Sequence, residues 1–99
     1  MANNLPDRDE RVLGAALALA QEVGYQWITR EMVARKAGVS VGTVSNVYGS
    51  IVELKRAVLR EAVEREVLEV VAQGLADGHE IARAAPDALR HRAVAHVMA

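Results

Sequence analysis

Hydrophobic positions recur every three to four residues along most of the chain, the period of an α-helix that buries one face. A first helix is predicted over residues 7–23, because Asp7 and Glu10 have the spacing of a capping box. Two short helices follow, and Thr29 and Ser40 are the residue types that begin them. The pattern predicts an all-α fold.

A long fourth helix is predicted from Ser50 to about Gln73. Its apolar residues form two stripes. The first suits packing on the earlier helices and comprises Ile51, Leu54, Val58 and Ala62. The second lies about a quarter turn away and comprises Leu59, Val63, Val67 and Val70. Because a single small chain should not cover both stripes, the second is predicted to form the interface of a homodimer.

The pattern after the fourth helix predicts one or two further short helices. Gly74 and Gly78 interrupt the apolar spacing, and Pro86 either kinks the following helix or restarts it. We therefore expect two regions within one structural domain. These are a three-helix head over residues 1–50 and a helical dimerisation segment over residues 51–99.

The composition excludes several classes of protein. The 99 residues include no cysteine, which rules out disulfides and thiolate metal sites. The longest apolar run, Val12 to Ala20, is far shorter than the roughly 20 residues that span a bilayer. The first ten residues lack the basic and apolar regions of a secretory signal. We expect a cytoplasmic protein that does not contact a membrane.

Candidate chemistry outside the head is weak. Among the histidines only His91 and His96 have a metal-ligand spacing, and exposed or interfacial roles are favoured, so no metal is expected. No catalytic triad, phosphate-binding loop or carboxylate pair stands out, which predicts a protein that is not an enzyme and needs no cofactor. Tyr25 and Trp27 are expected to fill the core and not to stack on bases.

Charge is unevenly distributed along the chain. Residues 27–60 contain six basic and two acidic side chains, whereas residues 61–80 contain six acidic side chains and one basic. A basic region is typical of a nucleic-acid partner, although solvated helix faces account for the same distribution equally well.

The short third helix carries small, weakly polar and uncharged side chains. Such a face suits entry into the major groove of DNA, where bulk or negative charge would block approach. Thr43 can bond a base or a phosphate, and Asn46 can pair with adenine through two hydrogen bonds. Val41 and Val47 can contact thymine methyl groups. With the turn at Gly38, the second and third helices have the layout of a helix-turn-helix.

The stretch ITREMVARKAGVSVGTVSNVYGSIVEL, residues 28–54, resembles the DNA-binding segment of the tetracycline-repressor (TetR) family without a gap. The likeness covers residues 8 to about 60 and includes the preceding ALALAQEVGYQWIT. It implies a dimeric transcriptional regulator, usually a repressor, that binds a palindromic operator in double-stranded DNA through its third helix. Base contacts are then expected from Val41, Gly42, Thr43, Asn46 and Val47. Contacts to the DNA backbone are expected from Thr29, Arg30, Arg35, Lys36, Ser45, Ser50 and Lys55.

The chain departs from the family pattern in two respects. Ser45 stands where the family often has tyrosine, and Val47 stands where it often has histidine or tyrosine. Ile51 stands where the family commonly has a lysine. These changes remove expected contacts to the DNA backbone. Only 49 residues follow Ser50, too few to enclose an inducer pocket in one chain, so a small-molecule inducer is not expected. A pocket formed between two subunits stays open as an alternative. The missing anchors leave an alternative open, a protein-interaction module of the same fold that does not bind DNA.

Overall fold

The computed structural model describes residues 7–98, and every regular element in that range is helical. A single 3-10 turn, Tyr25–Trp27, lies between the first two helices. The helices are α1 (Arg8–Val23), α2 (Arg30–Ala37), α3 (Val41–Val47), α4 (Ile51–Arg65), α5 (Leu68–Ala76), α6 (Glu80–Arg83) and α7 (Asp87–Met98). The all-α prediction is confirmed.

Side-chain oxygens cap the N-termini of the first four helices. In each case the capping oxygen accepts a hydrogen bond from the backbone N–H three residues later, at 2.8 to 3.1 Å. These bonds satisfy an amide that the helix itself leaves without a partner. The capping residues are Asp7, Thr29, Ser40 and Ser50.

The predicted long fourth helix is wrong, because α4 ends at Arg65. Glu66 adopts a left-handed conformation, with φ 57° and ψ 47°, and the N–H of Val67 bonds the carbonyl of Ala62 at 2.8 Å. This is the hydrogen-bond pattern of a Schellman motif, which usually has glycine at the left-handed position. A residue with a side chain costs about 1–2 kcal/mol there.

The turn at Glu66 lets α5 fold back against α1 and α4. Val70 and Val71 are fully buried as a result. Burying a valine side chain is worth about 1.5–3 kcal/mol, so two of them offset the strain at Glu66. Hydrophobic burial therefore overrides the helical continuity that the sequence pattern indicates.

The second apolar stripe is covered within the chain. Leu59 and Val70 have no exposed surface, and Val63 and Val67 are partly buried against the same core. The premise that a single chain leaves this stripe open is wrong for Leu59 and Val70, because the reversal at Glu66 folds α5 over it. The stripe therefore no longer supports the prediction of a homodimer.

The 3-10 turn is tied to α5 by polar bonds that flank the core. The Tyr25 hydroxyl donates to Asp77 at 2.5 Å, and the Tyr25 N–H donates to the side-chain oxygen of Gln73 at 2.9 Å. Gln73 also donates to the carbonyl of Ala20 at 3.0 Å. Burial, followed by the bond to Asp77, raises the pKa of the Tyr25 hydroxyl. We call these bonds the Tyr25 latch.

The last helix restarts after Pro86 instead of continuing through it. Asp87 is its first residue, and the carbonyl of Pro86 accepts from the N–H of Arg90 at 3.0 Å. Packing against α5 buries Leu89 and Ala93. The rest of the helix leaves three apolar side chains largely exposed: Val94, Val97 and Met98.

Candidate nucleic-acid interface

Helix α3 is held against the core by one of its side chains. Val44 is fully buried, while the turn before it closes through left-handed Gly38, with φ 73°, and a 3.0 Å bond from Val39 N–H to the Ala34 carbonyl. Val33 on α2 is also fully buried. This packing fixes α3 on α2 and turns the rest of α3 outward.

The outward surface of α3 has no charged side chain. Gly42 and Asn46 are exposed, and 38% of the surface of Val41 is accessible. Thr43, Ser45 and Val47 are partly accessible. All five residues predicted to contact bases therefore lie on α3, and none of them is buried in the core.

One predicted base contact is already engaged inside the protein. The Thr43 hydroxyl lies 3.0 Å from the Ser40 hydroxyl, and the same Ser40 oxygen accepts the Thr43 N–H at 3.1 Å. The two hydroxyls therefore fix one another at the start of α3. This arrangement holds the Thr43 side chain in place before any ligand arrives.

Two of the predicted backbone contacts are helix caps that keep a donor free. The oxygens of Thr29 and Ser50 accept the N–H groups of Met32 and Glu53, both at 3.1 Å. A hydroxyl that accepts such a bond still has its own O–H to give. These two side chains can cap α2 and α4 and donate to a phosphate at the same time.

The predicted basic contacts differ in availability. Arg35 is exposed and Arg30 is partly exposed. Lys36 forms an exposed ion pair with Glu22, at 3.4 Å between Nζ and the carboxylate. The ammonium of Lys55 donates to the carbonyl of Gln26 at 2.8 Å, so this side chain joins α4 to the 3-10 turn.

The basic segment is not uniformly turned outward. Arg56 pairs with Glu80 on α6, and that hydrogen bond raises the pKa of the guanidinium and lowers the pKa of the carboxyl. The counts of charge along the sequence therefore overstate the positive charge that lies beside α3. Arg60 is exposed on the same helix.

The prediction that both aromatic residues before α2 fill the core is half wrong. Tyr25 is buried, whereas 73% of the surface of Trp27 is exposed. A 3-10 turn repeats every three residues, so Tyr25 and Ile28 both face inward while Trp27 faces solvent. The three-residue spacing of Tyr25 and Ile28 is present in the sequence, but the first turn of an α-helix has the same spacing, so it does not by itself indicate a 3-10 turn.

The described part of the chain holds neither a cluster of metal-ligating side chains nor a helix able to span a membrane. Within residues 7–98, no group of three or more histidine, aspartate or glutamate side chains is arranged to hold a metal ion. Nor does any helix among these residues have the length and apolar content needed to cross a bilayer.

The segment that carries α1 to α4 is similar in sequence to known bacterial proteins. The profile described as "Bacterial regulatory proteins, tetR family" matches residues 12–58, which run from α1 into α4. The chain is 38% identical over 64 residues to the HTH-type transcriptional repressor KstR of Rhodococcus jostii (strain RHA1), covering 65% of this chain and 30% of that protein.

A second relative, the HTH-type transcriptional repressor KstR of Mycolicibacterium smegmatis, is 35% identical over 72 residues, or 73% of this chain and 35% of the relative. The chain thus spans about a third of the length of these relatives. No solved structure matches it significantly. Residues 12–58 therefore form a domain of the tetR family of bacterial regulatory proteins.

Proposed function

We propose that this protein is a sequence-specific DNA-binding regulator of transcription, acting as a repressor, and that α3 enters the major groove of its operator. The observation that carries the proposal is the outward face of α3, which is small, uncharged and held on the core by Val44. Such a face fits the groove and offers Asn46 and Thr43 to base edges. The two curated relatives, each named a transcriptional repressor, support the same function.

The surroundings of α3 fit a phosphate backbone on either side. Thr29 and Ser50 each keep a hydroxyl donor at the start of a helix, where anions are favoured. Arg30 and Arg35 add positive charge on α2. Phosphate contacts of this kind position the reading helix, and the base contacts then supply specificity.

We further propose that the regulator acts as a homodimer on a palindromic operator. The support comes from the family and from the exposed apolar residues at the end of α7, since the stripe on α4 and α5 is covered within the chain. Val94, Val97 and Met98 give the end of α7 an exposed apolar surface that a second copy could cover.

An inducer site is not part of this proposal. One hollow of about 390 Å³ lies between α1 and α2 and another of about 430 Å³ lies between α6 and α7, and both are wide open to solvent. Small ligands are usually bound in enclosed, mainly apolar cavities.

The proposal is tested by measuring fluorescence anisotropy of labelled duplexes chosen from a random pool by binding to the protein. We expect tight binding that weakens steeply as salt rises from about 50 to 200 mM, because phosphate contacts release counterions. Failure to enrich any duplex at low salt would contradict DNA binding. It would favour the alternative, a protein-interaction module. That alternative is supported by Lys36 and Lys55, whose ammonium groups already have partners within the chain.

A further inference from the structure

Trp27 is a large apolar side chain that the fold leaves in solvent. It is the one tryptophan of the sequence, and 73% of its surface is exposed, against 2% for Tyr25 and for Ile28 on either side of it. Fully burying a side chain of this size is worth several kcal/mol, so its exposure leaves a contact surface unused by the fold.

The indole is held in place although it is exposed. The backbone N–H of Trp27 donates to the carbonyl of Gly24 at 3.1 Å, which closes the 3-10 turn. The ring lies over Gly24 so closely that a Cβ at that position would stand 3.1 Å from Cδ1 of Trp27. Gly24 also has φ 96°, which side-chain-bearing residues rarely adopt. The glycine thus both makes the turn and leaves space for the ring.

The position of Trp27 places it at the edge of the proposed DNA surface. It stands two residues before Thr29, so the two Cα atoms are at most about 7 Å apart. Its neighbour Gln26 is bonded through its carbonyl to Lys55, at 2.8 Å. The 3-10 turn therefore lies between Thr29, the capping residue of α2 that we assign to a phosphate, and Lys55 on α4.

The chemistry of indole suits a neighbouring phosphodiester. Its Nε1–H is a donor with no acceptor, so it can bond a phosphate oxygen without repelling it. Its ring can cover the apolar face of a deoxyribose. Arg30 and Lys55 lie near it along the chain and through Gln26, which makes this edge favourable for an anion.

We propose that Trp27 is a further DNA-contact residue that packs on the sugar-phosphate backbone beside the phosphate held by Thr29. The inference rests on the proposed function, and it assigns Trp27 to positioning the protein on the duplex and not to reading bases. A contact of that kind strengthens binding to every sequence alike.

Because the sequence has a single tryptophan, its emission reports this site alone. The experiment titrates the full chain with a selected duplex and follows two signals in parallel, anisotropy of the labelled DNA and the emission of Trp27. We expect the emission to change with the same midpoint as the anisotropy. We also expect bound DNA to protect Trp27 from quenching by acrylamide.

Two variants separate the parts of the contact. Trp27→Ala should weaken binding to selected and scrambled duplexes by the same factor, about 3- to 10-fold, the size of one net hydrogen bond. Trp27→Phe keeps a ring but loses the N–H donor, so its affinity for DNA should lie between those of the parent and of Trp27→Ala. Thermal unfolding of both variants is the control, and its midpoint should stay near that of the parent because the side chain is exposed.

The results separate failure of the Trp27 contact from failure of DNA binding itself. If anisotropy shows binding while Trp27 stays open to acrylamide and Trp27→Ala binds within twofold of the parent, the inference is wrong and the DNA-binding function stands. If no duplex raises the anisotropy, the proposed function fails and the Trp27 contact fails with it. Protection of Trp27 together with a uniform loss in Trp27→Ala supports both.

Discussion

At the scale of single residues, Asn46 has the side chain on α3 best suited to identify a base. It is exposed, and its amide can make a paired donor and acceptor contact to adenine. Lys36 is different, because it lies on α2, its ammonium can only donate hydrogen bonds, and it already pairs with Glu22 at 3.4 Å. The two side chains should therefore contribute to binding in different ways.

We expect Asn46→Ala to cost about 1–3 kcal/mol on the selected site and to relax the preference at one base position in each half-site. Lys36→Ala should weaken binding to all sequences equally and reduce the salt slope by about one unit. Anisotropy on selected and scrambled duplexes measures both effects. Equal losses on the two duplexes for Asn46→Ala would show that Asn46 does not read a base.

At the scale of elements, α5 approaches its neighbours so closely that one position has no room for a side chain. A Cβ at Gly74 would stand 2.7 Å from the Cβ of Ala82 on α6 and 3.0 Å from Cδ2 of Leu59 on α4. Gly74 is buried, and the nearest of these atoms cannot rotate away. This glycine sets the spacing between α5 and α6.

Gly74→Ala should therefore destabilise the protein by about 1–3 kcal/mol, the usual cost of overpacking a core. Gly14→Ala is the matched control, because Gly14 is also inside a helix but has no atom within 4 Å of an added Cβ. That control should gain about 0.5–1 kcal/mol from helix propensity alone. Urea unfolding measures both values, and a stabilised Gly74→Ala variant would contradict the close approach of α5 to α6.

The Tyr25 latch joins the first and fifth helices, and it should give stability a specific dependence on pH. The pKa of Tyr25 is raised in the folded state by burial and by the bond to Asp77. The folded state therefore favours the protonated hydroxyl, and this contribution is fully present below about pH 10, the usual pKa of tyrosine. It is lost as the pH rises above that value.

We expect Tyr25→Phe to be less stable than the parent at neutral pH by about 1–3 kcal/mol, since the hydroxyl bonds a charged acceptor. Above about pH 10 the difference should shrink with rising pH, because only the parent must bind a proton in order to fold. Denaturant unfolding of the two proteins at a series of pH values measures this. A difference that stays constant through the alkaline range would show that the hydroxyl is not held in its protonated form.

Local signals in the sequence predicted the elements of the head but not how the second half folds back. Caps such as Thr29 and Ser50 can be identified from residue type and spacing, because the bond is made within three residues. The end of α4 could not be identified in this way. Glu66 is not a residue that usually adopts a left-handed conformation, and the energy that holds it there comes from burying Val70 and Val71, which are distant contacts.

The candidate site was predictable to the extent that it depends on α3. Val44 faces inward and its neighbours face outward, as helical spacing requires. The bond from Lys55 to Gln26 and the exposure of Trp27 depend on how the 3-10 turn meets α4, a contact between segments 29 residues apart. Sequence spacing does not report such contacts.

At the scale of the whole molecule, one reading helix per subunit implies a two-fold symmetric operator if the protein is a dimer. We expect selected sites to be palindromic, with half-site centres about 34–36 Å apart, one turn of B-DNA. The distance cannot be set by a single continuous helix, since α4 ends at Arg65, so it must be set by the packed set of α4, α5 and α7.

Inserting five base pairs between half-sites rotates one of them by about half a turn, and binding should fall to the level of a single head. Footprinting or anisotropy on the altered duplex measures the loss, with sedimentation of the protein alone as the check on the dimer. Asymmetric selected sites, or tolerance of the half-turn insertion, would overturn the two-headed arrangement.

The helix caps have a consequence for how this protein can change during evolution. The oxygens of Thr29 and Ser50 accept the bond that caps a helix, and each hydroxyl keeps its own O–H, which we assign to a phosphate. Serine, threonine, asparagine and aspartate all cap a helix well, so selection for folding alone tolerates all four. Aspartate would repel a phosphate. A lineage that lost its operator would therefore be free to accumulate aspartate at these two positions without losing its fold.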